Sequence, residues 1–126
     1  MNRMIISAVA VLLVLVTATV GLISLKKSCE KLADALDEIK ETAIEKDREK
    51  AKELTNKAIE LWSKEEKIIS LLIDHREIDE IEQTIKSLSV FARQNDMKKL
   101  EEKSSVAAER VRHIIDKEKV SAENVF

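Results

Sequence analysis

The chain has no proline and no tyrosine, a single glycine (Gly21), a single cysteine (Cys29) and three aromatic residues, Trp62, Phe91 and Phe126. Tight turns draw on Gly and Pro, and strands on aromatic and β-branched residues, so these shortages argue against an all-β domain. One glycine cannot build a glycine-rich phosphate loop. One cysteine permits neither an intramolecular disulfide nor a cysteine-based zinc cluster. A surplus of basic charge is missing too: 22 basic residues stand against 24 acidic ones, a net of −2. Nucleic acid as the main partner would need such a surplus, so none is expected. What the 126 residues do have is 44% hydrophobic and 37% charged side chains. At one domain's length, that mixture predicts an all-α protein.

The charge is spread unevenly. Met4 to Leu25 is a run of 22 residues without any, interrupted only by Ser7, Thr17, Thr19, Gly21 and Ser24. As a helix it measures roughly 33 Å, enough for a hydrocarbon layer of about 30 Å. Arg3 before it and Lys26 and Lys27 after it are suited to reach headgroups from both ends. A cleavable signal peptide would have a shorter apolar core of about 7–15 residues. Val16-Thr17-Ala18 is a weak cleavage site, and the apolar run continues past it to Leu25. Cys29 is no lipoprotein cysteine, because Lys26 and Lys27 stand where small or apolar residues belong. The expectation is an uncleaved, single-pass anchor. Its orientation stays open on charge alone: Arg3 and the amino terminus oppose Lys26, Lys27 and Lys31, the latter offset by Glu30 and Asp34.

Beyond the anchor, apolar residues recur at helical spacing. Cys29, Leu32, Leu36, Ile39 and Ala43 form one stripe, and nothing between Leu25 and Ser28 stops a helix running in from the membrane. Asp47 caps a second helix carrying Ala51, Leu54, Ala58, Leu61 and Trp62, with a dense apolar end at Ile68, Ile69, Leu71, Leu72 and Ile73. Asp74-His75-Arg76-Glu77 reads as a capping box, Asp74 at the N-cap and Glu77 reaching back to its N–H, with Ile73 and Ile78 as a hydrophobic staple. The third helix shows Ile78, Ile81, Ile85, Leu88 and Ala92. After Arg93-Gln94-Asn95, Asp96 caps a fourth with Met97, Leu100, Ala107, Val111, Ile114 and Ile115. The segment 35–62 overlays 84–111 at an offset of 49, matching Ala43 with Ala92, Asp47 with Asp96, Lys50 with Lys99 and Ala58 with Ala107. Two helical hairpins of tetratricopeptide-like type would account for this, yet two units fall short of the about three a solenoid needs. The expected fold is an N-terminal transmembrane helix followed by an antiparallel three- to four-helix bundle. The domains are then a flank over 1–3, an anchor over 4–25, a bundle over 26–119 and a tail over 120–126.

Chemistry has few candidates. If the third and fourth helices are antiparallel neighbours, His75 and His113 fall at the same end of the bundle. Asp79 beside one, and Asp116 or Glu118 beside the other, would complete a metal site. The plainer reading makes His75 a first-turn residue and His113 a helix-end cation favoured by the dipole. No local motif brings a nucleophile to a histidine, and the runs of carboxylates read as solvated faces, so neither an enzyme nor a cofactor is expected. Cys29 is a small core residue or, facing an oxidising exterior, the site of an intermolecular disulfide. Thr17 to Gly21 has the small-xxx-small spacing by which membrane helices associate, so a homo-oligomer is one expected partner state.

Two stretches resemble a known family. Asp74-His75-x-Glu77-Ile78-Asp79-x-Ile81-Glu82, preceded by Trp62 and Leu71-Leu72-Ile73, is similar to the central signature of the 4363 family of domains of unknown function. The closing His113-Ile114, Glu118 and Val120-Ser121-x-Glu123-Asn124-Val125-Phe126 resembles the same family's C-terminal end. The resemblance implies a short bacterial protein with an N-terminal membrane segment and a helical remainder on the outer side of the cytoplasmic membrane. It supplies no activity. It directs attention to Trp62, Asp74, His75, Glu77, Asp79, His113, Asn124 and Phe126. Capping already explains Asp74 and Glu77, which leaves His75, His113, Asn124 and Phe126 as binding candidates. The expected function is a non-catalytic scaffold or accessory protein at the cell envelope, with a protein partner. The alternative is a metal- or small-ligand-sensing domain using His75 and His113.

Overall fold

The computed structural model describes residues 2–125, and side chains of residues 2–117. Four helices make up almost all of it: α1 (Asn2–Ile44), α2 (Arg48–Leu72), α3 (His75–Arg93) and α4 (Met97–Val125). No strand occurs among the described residues. α1 packs on α2 and α4, and α3 packs on the same two helices, so α1 and α3 are diagonal across a closed four-helix bundle. The charge-free segment and the first bundle helix are one uninterrupted 43-residue helix. α4 likewise runs on through Val125, where the sequence reading has a tail from residue 120.

The core follows the sequence rhythm. α1 contributes Leu25, Cys29, Leu32, Leu36, Ile39 and Ala43; α3 contributes Ile78, Ile81, Ile85, Leu88 and Ala92. These alternate steps of three and four average 3.5 residues, the period at which helices wrap with left-handed, knobs-into-holes packing. α2 and α4 keep the same rhythm with smaller side chains toward the far end: Ala51, Thr55 and Ala58 on one, Ser104 and Ala107 on the other. Their two buried hydroxyls donate back to the helix carbonyls of Ala51 and Leu100, each at 2.7 Å, so neither is left unsatisfied.

The repeat at an offset of 49 is present in backbone geometry. At the first turn, Lys46 N–H donates to Ala43 O at 3.1 Å and Asp47 N–H to Thr42 O at 3.2 Å, with Lys46 left-handed at φ 59°. At the third, Asn95 N–H donates to Ala92 O at 3.2 Å and Asp96 N–H to Phe91 O at 3.0 Å, with Asn95 at φ 56°. Both are Schellman closures made without glycine. Each is followed at once by an aspartate cap: Asp47 accepts from Lys50 N–H at 3.2 Å, and Asp96 from Lys99 N–H at 3.1 Å. Thr55 and Ser104 extend the correspondence one helical turn further.

The middle junction differs. Ile73 leaves α2 in extended conformation, and Asp74 caps α3 by accepting from Arg76 N–H at 3.0 Å. Ile73 and Ile78 are both buried, as the staple requires. The reciprocal half of the capping box does not form: the Glu77 carboxylate accepts from Lys117 Nζ at 3.4 Å instead. A cross-helix cation thus outcompetes the neighbouring backbone N–H.

Candidate functional site

A groove of about 450 Å³ lies between α3 and α4. Glu77, Glu80 and Ile81 share one face of α3 at i, i+3 and i+4, and Val106, Glu109, Arg110, His113 and Ile114 share a face of α4. Ile81 and Ile114, both in the core, form the floor. The rim is charged. Arg110 lies 3.7 Å from Glu80, and Lys117 lies 3.4 Å from Glu77. Glu109 and His113 stand exposed among them, with no ion pair among the described residues. The groove thus combines an apolar floor with a rim of carboxylates, cations and an imidazole.

A second, smaller hollow of about 250 Å³ lies between α1 and α4, lined by Glu30, Ala33, Asp34, Arg112, Ile115 and Asp116. Arg112 donates through both terminal nitrogens to the two oxygens of Asp37, and Asp34 is 3.8 Å away. The hydrogen bond that Arg112 donates to Asp37 holds the guanidinium pKa above its ordinary value. This bidentate fork bridges α1 and α4 at the bundle surface.

Two polar contacts are built into the core itself. The Trp62 indole N–H donates to Glu82 Oε1 at 3.4 Å, so the largest core side chain keeps a partner at the α2–α3 edge. Near the end of the bundle from which the apolar rod projects, buried Ser28 donates to Glu65 Oε2 at 2.5 Å, with Lys31 Nζ at 3.8 Å from the other carboxylate oxygen. Cys29 beside them is fully buried, and burial, reinforced by Glu30 and Glu65, pushes its thiol up to about 12. That placement makes Cys29 a core residue and withdraws it from an intermolecular disulfide between folded copies.

The predicted site residues do not assemble as the metal reading requires. His75 is exposed at the first position of α3, and Asp79 is exposed one turn later; neither lines the groove that contains His113. Among the described residues, no three or more His, Cys, Asp or Glu side chains are placed to hold a metal ion. The side chains of Glu118 and Asn124, and the whole of Phe126, lie outside the described residues. Sequence reasoning missed Glu80, Glu109 and Arg110 in the groove, and Lys117 paired with Glu77. Their spacing on each helix is visible in the chain, but which faces meet is set by the register between helices.

The class is defined by these features together: a closed four-helix bundle whose first helix projects far beyond it as an apolar rod. No curated protein and no solved structure was found that matches the chain. The sequence pattern of a family described as a domain of unknown function, DUF4363, matches residues 19–125, and the chain belongs to that family.

Proposed function

We propose that the protein is a single-pass membrane-anchored helical bundle that acts without catalysis, as a binding scaffold or accessory protein at the cell envelope, with the bundle on the outer side of the cytoplasmic membrane. One observation carries the anchor: every described residue from Asn2 to Val20 is exposed, while the same helix is buried in the bundle from Leu25 onward. Its large apolar side chains include Ile6, Leu13 and Val14, each more than 60% exposed. Water gives no reason to keep so many apolar side chains uncovered, whereas lipid does. Thr17 and Thr19 fit this solvent, since each hydroxyl donates to the carbonyl four residues back at 2.8 Å.

The binding role rests on the charged groove at α3 and α4, which offers a partner both signs of charge and an apolar floor. A ligand-sensing reading draws on the same groove through His113 alone, since His75 is not part of its lining. The test of the main reading uses intact cells. In a Cys29→Ser background, Asn56→Cys places a thiol on the exposed face of α2, far from the membrane. Prompt labelling by a membrane-impermeant reagent is expected, together with retention of the chain in alkaline-washed membranes. Release by the alkaline wash would remove the anchor; labelling only after lysis would move the bundle to the cytoplasm. Crosslinking in cells that returns only copies of this chain would overturn the role as scaffold for another protein.

A further inference from the structure

Three large apolar side chains of the bundle remain uncovered at one place. Ile68 is 39% exposed, Leu71 82% and Leu72 45%, all on the last turns of α2 at i, i+3 and i+4. The sequence reads this stretch as the apolar end of a core helix, but only Ile69 and Ile73 turn inward. The site lies where α2 returns to the projecting rod. Leu72 Cδ1 stands 3.8 Å from the position a Cβ on Gly21 would occupy. α2 therefore ends alongside the charge-free run, about four residues, or roughly 6 Å, before Leu25.

Taken with the anchor reading, on which this inference rests, that placement fixes the depth of the corner. An apolar layer of about 30 Å takes up roughly 20 helical residues. Counted from Met4, the first residue past Arg3, it extends to Ile23 and so passes the level of Gly21. The exposed side chains of Val20 and Ile23 continue the apolar surface of the rod up to this level. Lys64 and Lys67, both exposed, follow within about two turns back along α2, as Lys26 and Lys27 follow Leu25 on α1, and exposed Arg76 stands in the first turn of α3, while Asp74 stays engaged as the α3 cap. The overlap with the charge-free run, about 6 Å, is of the order of the 5–10 Å to which interfacial helices bury an apolar face.

We propose that the end of α2, through Ile68, Leu71 and Leu72, dips into the bilayer interface beside the anchor, so that the bundle is seated on the membrane at two points. The occupant of the exposed patch is lipid. A nitroxide at Leu71→Cys, in the Cys29→Ser full chain reconstituted in phosphatidylcholine–phosphatidylglycerol vesicles, reads this directly. Leu71 is exposed, so the substitution leaves the core intact, which helical circular dichroism checks. The expected result is a ratio of oxygen to aqueous-nickel accessibility several-fold above that of a label at Asn56→Cys and close to that of one at Ile23→Cys. An aqueous signal at position 71 with a lipid signal at 23 overturns the inference and leaves the anchor standing. Aqueous signals at both positions overturn the anchor as well. Exclusion of both reagents at 71, with dipolar broadening between labels, assigns the patch to a second copy of the chain and overturns the lipid contact.

Discussion

Raising the pH through the ionisation of Cys29 should weaken the folded bundle by a calculable amount. The thiol is fully buried and its pKa stands at about 12, against 9.0 when exposed. Between those values the unfolded chain releases a proton that the folded chain retains, so stability falls as pH rises. The contribution is fully present below pH 9 and is lost progressively up to about 12. From pH 8 to pH 10 the loss amounts to about 1.4 kcal/mol, one pKa unit's worth. The measurement is urea unfolding of the full chain in detergent micelles at both pH values, followed by circular dichroism, for the wild type and Cys29→Ala. Lysine titration affects both proteins alike, so the difference between their pH dependences isolates the thiol. The same burial predicts labelling by thiol reagents on the timescale of unfolding, since the thiolate is roughly a thousandfold scarcer than on an exposed cysteine. Equal pH dependence in the two proteins, or labelling within seconds under native conditions, would refute the reasoning.

The paired turns supply a second expectation: Asp47→Ala and Asp96→Ala should each cost about 1 kcal/mol in urea unfolding, because each removes one cap acceptor from an equivalent helix start. Lys46→Gly should instead stabilise the bundle by up to about 1 kcal/mol, since a side chain at φ 59° is strained, and Asn95→Gly should gain less because Asn tolerates that region. Trp62→Phe, which leaves Glu82 without the indole donor and a small void in the core, is expected to lower stability by about 1–3 kcal/mol. For Arg112→Met the loss should stay below about 1 kcal/mol, because the pair with Asp37 is half-exposed, and it should vanish at high salt.

Much of this fold is legible in the chain because its signals are local. The step of three and four from Cys29 to Ala43, and again from Ile78 to Ala92, already names the buried faces. Aspartates 47, 74 and 96 mark helix starts without help from tertiary structure. The repeat is visible as matched Ala, Asp and Lys positions, while the Thr55–Ser104 match within it is hidden by a change of residue type that preserves the hydroxyl. Contacts across helices were not legible. Glu77 looked like half of a capping box because its partner Lys117 is 40 residues away, and the groove exists only once α3 and α4 are in register. Leu71 and Leu72 looked like core because hydropathy does not distinguish a side chain packed against protein from one left exposed.

The uninterrupted passage of α1 from the apolar rod into the bundle has a mechanical meaning. With neither glycine nor proline between Leu25 and the first turn, the chain has no swivel there, and the helix acts as a stiff lever. The section from Leu25 to Ile44 is roughly 30 Å long, so a tilt of about 10° at its base sweeps the far turn through about 5 Å. The first turn at Asp47 is thereby held at a fixed distance from the rod, and a pull on it reaches the rod as torque.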